Sequence, residues 1–415
     1  MSTTPSPSAP AARAPLAILM VLVALGPLTV DLYLPAFPAI ADDLAASPAL
    51  VQLTLTATTV GLAVGQLTMG PWSDVVGRRR PLLVATAVHV AASVGVALAD
   101  DVAWVLACRF LQGVGSAGGA VVTMAIVRDH FSGRPFIRAL ARTGLVAGLA
   151  PVLAPTLGSQ LLRVLDWRGL FLCVAAYGVA AWLLAATALD ESLPVSRRGA
   201  RDARSVAARY RLVLADRSFV GVALIGGFMV SGVFAFMTAS SFLLQDVYGL
   251  DANGYSAVFT ANALAFVVGS QAVARVLGRT SPRTMLAWAL PVLSVSGFGV
   301  ALSDRWGLGL AGIVAATVVF HLAAGACGPC LGAIGMAGHG ARAGTAAAVL
   351  GAANFGLAGV LSPVVGAVGV DSAQPVGVAM GLAGTTAVLV LLTLVRRTGV
   401  VPVDGDRAPV GRAAA

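Results

Sequence analysis

The sequence predicts an all-α polytopic membrane protein with twelve transmembrane helices in two six-helix halves. Of the 415 residues, 58% are hydrophobic and only 11% are charged, whereas about 25% of the residues of soluble domains are charged. The mean hydropathy is +0.89. The apolar residues also form twelve long runs, and about 20 helical residues cross a hydrocarbon core about 30 Å thick.

The predicted spans contain few or no charges. They cover residues 16–38, 48–70, 82–99, 102–127, 143–162, 169–189, 218–245, 252–274, 284–303, 306–334, 344–370 and 375–395. The longest connection is a charged, partly helical linker at 190–217, which separates a first half at 16–189 from a second half at 218–395. Residues 1–15 and 396–415 are terminal tails. The first run lacks a suitable cleavage site and is interpreted as a spanning helix rather than a signal peptide.

Basic residues predict the orientation in the membrane. All 27 are arginines, since the sequence contains no lysine, and cytoplasmic loops are enriched in basic residues. With the N-terminus inside, 23 arginines lie in cytoplasmic segments, three lie in external loops and one, Arg109, lies within a helix. The opposite orientation inverts this ratio, so both termini are predicted to be cytoplasmic. Because the arginines are dispersed over loops, the net charge of +9 does not indicate a nucleic-acid partner.

Two short motifs match sites of other protein classes, but their context argues against both. Cys327-Gly-Pro-Cys330 has the spacing of a redox motif, which needs a thiolate at a helix N-terminus beside a βαβ unit. Gly113-Val-Gly115-Ser-Ala-Gly118 fits a dinucleotide-binding pattern, which should follow a strand and precede an acid. Both motifs lie inside apolar runs. We predict helix packing for both, with a proline kink in the first, and no cofactor, nucleotide or metal.

Ionisable residues inside the apolar runs are the main functional candidates, because a charge within the bilayer is costly. The runs contain one acid, Asp31, and one arginine, Arg109, together with His89 and His321. At about 1.5 Å per helical residue, the first two lie at matching depth, which predicts a buried ion pair between the first and fourth spans. A proton switch at Asp31, modulated by Arg109, is the functional interpretation, and a purely structural pair is the alternative. Structural roles are favoured for both histidines.

Three amide side chains are candidates for a substrate cavity. Gln112 lies one turn from Arg109 on the same helix face. Asn262 and Asn354 fall near the midplane by the same counting, where transporter substrate sites lie. Interhelical hydrogen bonding is the alternative for both asparagines.

Residues 70–80 carry a family resemblance. The segment Gly70-Pro-Trp-Ser-Asp74-Val-Val-Gly77-Arg78-Arg79-Arg80 resembles the signature loop of the major facilitator superfamily. In that fold the acid and the arginines form a charge cluster at the interface between the two halves and stabilise one access state. The resemblance implies a cytoplasmic gating role for Gly70, Asp74, Gly77, Arg78 and Arg79. Val75 occupies a position where the family often has arginine.

Further stretches, in order along residues 16–395, resemble the drug:proton antiporters of the Bcr/CflA branch. They are Asp31-Leu-Tyr33-Leu-Pro35-Ala-Phe-Pro38, Arg109-Phe-Leu-Gln112-Gly113, Leu149-Ala-Pro151-Val-Leu-Ala-Pro155-Thr-Leu-Gly158, Phe234-Ala-Phe236 and Phe259-Thr-Ala-Asn262. The third stretch, Leu149–Gly158, is similar to the antiporter motif of the fifth helix. The resemblance implies that Pro151 and Pro155, which precede Gly158, shape a bend in that helix. Tyr33 and Phe236 become substrate-cavity candidates on this resemblance.

The resemblance implies an alternating-access transporter and not an enzyme. The expected function is proton-coupled efflux (antiport) of small amphipathic drug-like molecules across the bacterial cytoplasmic membrane, which would contribute to antibiotic resistance. The expected partners are the substrate, protons and the lipid bilayer, and the expected state is a monomer. A proton-coupled transporter of a native metabolite remains an alternative, because it would use the same fold and carboxylate. A membrane-embedded enzyme or sensor is a second alternative, but the sequence shows neither clustered catalytic groups nor a sizeable soluble domain.

Overall fold

The computed structural model describes residues 13–131, 133–198, 203–277, 279–337, 343–368 and 372–395. The predicted tail 396–415 and most of the predicted tail 1–15 therefore lie outside the described residues, as do residues 199–202 of the linker. The helices are α1 (Arg13–Asp31), α2 (Phe37–Asp43), α3 (Pro48–Val76), α4 (Arg79–Ala97), α5 (Val102–His130), α6 (Gly133–Leu161), α7 (Trp167–Ala188), α8 (Ala203–Leu214), α9 (Arg217–Phe242), α10 (Ala252–Val276), α11 (Pro282–Arg305), α12 (Gly309–Met336), α13 (Ala343–Val368) and α14 (Gln374–Thr393).

Twelve spans of the described chain are long and apolar enough to cross a membrane, which confirms the predicted fold class. The first span joins α1 and α2 through a 3-10 turn at Leu34–Ala36. The helix α8 lies in the linker, as predicted for a partly helical segment. It has six spans before it and six after it.

Short polar side chains set where several helices begin. The carboxylates of Asp101, Asp166 and Asp251 accept hydrogen bonds from backbone N–H groups in the first turns of α5, α7 and α10. The Ser47 and Ser281 hydroxyls cap α3 and α11, each followed by proline. These acceptors satisfy N–H groups that have no partner within the helix.

Small residues allow the helices of each half to pack closely. In the first half, a side chain on Gly113 would collide with the Thr58 backbone of α3, and one on Gly115 would collide with α4. In the second half, Gly269 of α10 and Gly325 of α12 approach the backbone of each other's helix in the same way. Close approach through small residues is typical of membrane helices. The dinucleotide-like motif is therefore a packing surface.

The second misleading motif is also part of a helix. Cys327 and Cys330 lie within α12, where Pro329 interrupts the backbone hydrogen bonding, and both thiols are free and buried. This agrees with the predicted packing role.

The two halves meet along α3 with α13 and along α6 with α10. We call the end of the bundle that holds Asp74 and Arg78 the arginine-rich end. At the opposite end, polar contacts join the halves. They are a hydrogen bond between the Ser159 and Ser256 hydroxyls, one of 2.9 Å from Gln160 Nε2 to Asn253 Oδ1, and one of 3.3 Å from Gln245 Nε2 to the Pro35 carbonyl. The opposite end is thus closed.

Candidate transport site

A cavity of about 420 Å³ lies at the middle of the bundle, between the halves. Its lining comes from α1, α3, α5 and α6 of the first half and from α9, α10, α12 and α13 of the second. The polar side chains of this lining are Asp31, Gln66, Ser116, Asn262 and His321. The rest is apolar, as is usual for a small-molecule site.

The two halves line this cavity with different residues. All aromatic rings among the lining residues belong to the second half, and they are Phe234, Phe236, Phe259, Phe266 and Phe355. The first half contributes mainly small residues, including Gly26, Ala120 and Gly148. The first half also supplies the one acid among the described lining residues, Asp31. The aromatic surface and the acid therefore lie on different halves.

Asp31 is the last residue of α1 and is only 4% exposed, with its side chain at the cavity. The chain then turns through Leu34–Ala36 into α2. Because the helix ends here, the carboxylate lies beside irregular backbone, a setting that transporters use for ion and substrate sites.

Arg109 is fully buried in α5 and is held against the first span. Its Nη1 donates to the Thr29 carbonyl at 2.9 Å and to Gln112 Oε1 at 2.5 Å. Its Cζ lies 4.0 Å from the centroid of the Tyr33 ring. The Tyr33 hydroxyl is 3.0 Å from Thr54 Oγ1. A guanidinium over an aromatic face is attracted by the ring quadrupole, and desolvation strengthens the attraction.

The predicted direct ion pair was wrong for this conformation. Among the described residues, no ion pair within 4.0 Å joins Asp31 to Arg109. The depth was right, since Arg109 contacts Thr29 and Tyr33 on either side of Asp31 in the chain. Arg109 is instead bonded to the Thr29 backbone carbonyl and to Gln112. The coupling roles of Asp31 and Arg109 remain a prediction.

A buried network that sequence reasoning missed extends from Arg109 into α4. His89 Nε2 lies 2.7 Å from Thr29 Oγ1. The backbone carbonyl of Thr29 accepts the hydrogen bond from Arg109. The Gln112 amide donates to Ser93 Oγ at 2.7 Å, and the Ser93 hydroxyl donates to the His89 carbonyl at 2.7 Å. His89 and Ser93, four residues apart in an apolar run, were the available signal, because that spacing places both on one helix face.

Two of the five predicted cavity residues, Phe236 and Asn262, line the cavity. Tyr33, Gln112 and Asn354 do not, and for them the prediction is corrected. The side chains of Tyr33 and Gln112 are engaged with Arg109. Asn354 faces the position of Gly226 on α9 instead. Contact of Phe236 and Asn262 with a substrate remains a prediction.

His321 also lines the cavity, although a purely structural role was favoured. Its Nδ1 lies 2.8 Å from the Thr317 carbonyl. Its ring meets those of Phe236 and Phe320 edge-on, each with 5.7 Å between centroids. These contacts fix the imidazole at the aromatic side of the cavity.

Arg78 is the centre of the charge cluster at the arginine-rich end. It donates to Asp74 Oδ1 at 2.6 Å, to Ser73 Oγ at 2.8 Å and to Asp129 Oδ2 at 3.1 Å. Burial alone would lower the pKa of Arg78, but hydrogen bonds to Asp74 and Asp129 outweigh it and raise the pKa. All these partners belong to the first half. Asp74 and Arg78 also line a cavity that Gly344 and Thr345 of α13 line from the second half, and the gating role of this cluster at the interface remains a prediction.

Glu191, the one glutamate of the sequence, joins this cluster to the end of α7. Its carboxylate accepts from the backbone N–H of Arg78 at 2.8 Å and of Arg79 at 3.2 Å. Arg79 in turn donates to carbonyls at the C-terminal end of α7, Ala186 and Leu189. Gly77 has φ +103°, and a side chain there would meet the Glu191 carboxylate, so glycine is required on both counts. Gly70 lies nearby in α3.

A second cavity of about 420 Å³ opens at the arginine-rich end, beside Asp74, Arg78 and Tyr210. Gln66 and Ala120 line both this cavity and the central one. The Gln66 amide rests against Gly351 of α13, where an added Cβ would lie 2.6 Å from Gln66 Cδ. Gln66 therefore stands between the two cavities and touches the other half.

The prolines predicted to shape α6 lie within that helix. Pro151 lines the central cavity. The Pro155 carbonyl lies 3.0 Å from Ser159 Oγ and 3.2 Å from Ser256 Oγ of α10, within hydrogen-bond reach of either hydroxyl. Gly158 lies directly against the Leu32 carbonyl, which leaves no room for a side chain. The helix thus contacts both the first span and the second half.

Twelve spans of the described chain around a central cavity, with one acid among its described lining residues, are typical of a multi-pass membrane transporter. The family described as the Major Facilitator Superfamily matches residues 19–363. The chain belongs to this family, as the signature loop led us to expect, and is therefore a transporter and not an enzyme.

Known relatives are transporters and resistance proteins. The chain is 36% identical over 366 residues to the uncharacterized MFS-type transporter YdgK of Bacillus subtilis, covering 88% of this chain and 90% of that one. It is 29% identical over 381 residues to a bicyclomycin resistance protein homolog of Haemophilus influenzae, covering 91% of this chain and 95% of that one. It is 30% identical over 333 residues to the multidrug resistance protein MdtL of Escherichia fergusonii, covering 80% of this chain and 83% of that one.

Solved structures support the fold alone. The human organic anion transporter MFSD10 superposes with a TM-score of 0.71 at 19% identity, covering 92% of this chain and 100% of that one. The xylose transporter XylE of E. coli, in a partially occluded inward-open conformation, also superposes with a TM-score of 0.71. Its sequence identity is 13%, and the match covers 92% of this chain and 97% of that one.

Proposed function

We propose that this transporter exports small amphipathic drug-like molecules across the bacterial cytoplasmic membrane in exchange for protons, by alternating access. The observation that carries the proposal is the Asp31 carboxylate, the one acid among the described lining residues of the central cavity. The resistance functions in the names of the two relatives from Haemophilus influenzae and Escherichia fergusonii support drug export.

Asp31 carries the proton in this proposal. The charged form of a carboxylate in a largely apolar cavity is unfavourable, because it has lost its hydration. Proton binding and substrate entry therefore favour different protonation forms of Asp31. A ligand shifts a conformational equilibrium only by its differential affinity for the two states. Competition at Asp31 supplies that difference for both proton and substrate.

Arg109 modulates Asp31 without pairing with it directly. Arg109 belongs to α5 but is bonded to the Thr29 carbonyl of α1 and lies over Tyr33, so its distance from Asp31 depends on how α5 sits against the first span. A shift of α1 against α5 changes the field at Asp31, since charge interactions are strong at low dielectric.

The arginine-rich end faces the cytoplasm in this proposal, in keeping with the enrichment of basic residues there. Both termini are then cytoplasmic, the chain works as a monomer, and its halves are 16–189 and 218–395. The cluster of Asp74, Arg78 and Arg79 gates the cytoplasmic side. The closed opposite end and the cavity at the arginine-rich end fit a conformation that exposes its site toward the cytoplasm.

Asp31→Asn tests proton coupling in everted vesicles. We expect the variant to fold, judged by its thermal unfolding, and to lose substrate-driven proton release. Asp42→Asn is the matched control, because the exposed Asp42 undergoes the same chemical change outside the cavity, and we expect normal coupling. Unchanged coupling in Asp31→Asn would refute the proton switch.

A susceptibility screen of a pump-deficient bacterium that expresses the chain tests the substrate class. We expect raised resistance to a subset of antibiotics, dyes and biocides. A flat profile would favour the transport of a native metabolite, which would use the same fold and carboxylate.

A further inference from the structure

We propose that the central cavity binds apolar, planar molecules that carry an amide-type pair, an N–H donor beside a C=O acceptor, and that Asn262 recognises this pair. The proposal rests on the proposed function in one respect, since it takes the central cavity to be the substrate site. It adds the substrate class and assigns recognition to the second half.

Asn262 has unused hydrogen-bonding capacity at the cavity. It is 2% exposed and lines the cavity, and neither Oδ1 nor Nδ2 has a partner among the described residues. Buried polar groups are nearly always hydrogen-bonded. Both amide groups are covered in this conformation, so the proposal includes a rotation of the Asn262 side chain that brings them to a ligand in the cavity.

The chemistry of a carboxamide selects the ligand class. Asn262 offers an acceptor and a donor in one plane, so a ligand with an adjacent donor and acceptor forms two parallel hydrogen bonds with it. Lactams and primary amides have this arrangement. Esters and lactones of the same shape lack the donor and leave the Asn262 oxygen unpaired, which lowers affinity.

Aromatic rings surround this amide. Phe259 and Phe266 lie three residues before and four residues after Asn262 on α10, on the same helix face, and both line the cavity. The rings of Phe234, Phe236 and Phe355 complete the aromatic side. Aromatic rings pack favourably against flat ring systems, edge-on or offset. The surroundings of Asn262 thus favour a flat apolar body.

The site differs from the acid on the first half. Asn262 is neutral, so recognition of the amide pair requires no charge on the ligand. A change at Asn262 leaves the Asp31 carboxylate itself in place. Recognition and coupling can then be separated experimentally.

Binding of two matched probes to the purified protein in lipid nanodiscs tests the proposal. 2-Quinolinone is a planar lactam with the donor–acceptor pair, and coumarin is a lactone of the same bicyclic shape without the N–H. We expect the wild-type protein to bind 2-quinolinone about tenfold more tightly, because coumarin forms one hydrogen bond fewer and leaves the Asn262 oxygen unpaired. Asn262→Leu should lose this preference.

Asn354→Leu is the matched control, because Asn354 is in the same half but faces Gly226 rather than the cavity; it should keep the preference. Equal affinity of the wild type for both probes, or no measurable binding of 2-quinolinone, would overturn the proposal. So would an intact preference in Asn262→Leu. The wild-type comparison needs no variant, so a folding defect in Asn262→Leu leaves the test decisive.

The probe preference of the wild type is measured without a proton gradient, and proton coupling is measured separately with Asp31→Asn in everted vesicles. This pair of measurements separates the two proposals. Loss of proton coupling in Asp31→Asn together with a wild-type preference for 2-quinolinone supports both, whereas the same loss of coupling with equal wild-type affinities refutes amide recognition and leaves the antiport proposal standing.

Discussion

The guanidinium of Arg109 lies over the ring of Tyr33, with 4.0 Å between Arg109 Cζ and the ring centroid. Arg109 Nε and Nη2 have no hydrogen-bond partner among the described residues. The ring face therefore provides part of the stabilisation that a buried charge needs. The contact also links α5 to the turn that follows Asp31.

Tyr33→Leu should destabilise the protein by about 2 kcal/mol, because it removes a desolvated cation–π contact. Tyr33→Phe is the matched control. It keeps the ring and removes the hydroxyl, whose contact with Thr54 contributes about 1 kcal/mol. Thermal unfolding in detergent measures both. Equal losses in the two variants would show that the ring face does not stabilise Arg109.

Gln66→Ala should open the path between the two cavities. The reporter is Gly148→Cys, since Gly148 lines the central cavity and has space for a side chain. We expect Gln66→Ala to raise the labelling rate of this cysteine several-fold with a membrane-impermeant methanethiosulfonate in everted vesicles. Labelling of the parent chain without the reporter is subtracted. An unchanged rate would contradict a separating role for Gln66.

Gly351→Ala tests the same contact from the other half. Its new methyl group would displace the Gln66 amide. Gly351→Ala should therefore change the labelling rate when Gln66 is present and have no further effect in Gln66→Ala, because the effects of substitutions at contacting residues are not additive. Gly356→Ala on the same helix is the control, since its nearest neighbour would be the Ala63 methyl at 3.8 Å. An equal effect of Gly351→Ala in both backgrounds would rule out the contact.

Glu191→Gln should lower stability at about pH 7 by roughly 1–2 kcal/mol, because bonds from N–H groups to a carboxylate exceed those to a neutral amide. Burial alone would raise the pKa of Glu191, but backbone hydrogen bonds from Leu193, Arg78 and Arg79 outweigh it and lower the pKa. A carboxylate with a lowered pKa stabilises the fold above its unfolded pKa, and the effect is lost as the pH falls through the folded pKa.

The difference between wild type and Glu191→Gln should therefore shrink as the pH falls below about 4.3, the ordinary glutamate pKa. Thermal unfolding over a pH series measures this. Asp190→Asn makes the same charge change at an exposed neighbour and should have little effect. A constant difference at all pH values would show that the ionised carboxylate is not what stabilises the loop.

The spans were predictable because hydrocarbon thickness fixes helix length. The predicted run 82–99 corresponds to α4 at Arg79–Ala97, a shift of a few residues at a boundary that arginines flank. The packing role of the Gly113–Gly118 segment was predictable for a related reason, since small residues in an apolar run have few other uses.

The lining of the cavity was not predictable to the same degree. Asn262 and Asn354 had the same predicted depth, yet only Asn262 lines the cavity. Depth comes from counting residues, whereas the direction of a side chain depends on how each helix is rotated against its neighbours. The same limit explains the ion pair between Asp31 and Arg109 that the structure does not form. The bond of Glu191 to the Arg78 backbone crosses 113 residues, and no local pattern indicates it.

The uneven lining of the central cavity has a consequence for how the proposed exporter acquires new substrates in evolution. The rings and the free amide come from one half of the chain, and the acid comes from the other. A chimera that joins residues 1–217 of this chain to the second half of a relative should export that relative's compounds while drawing on the same proton gradient. Substrate specificity and proton coupling would then be inherited separately, each with one half of the chain.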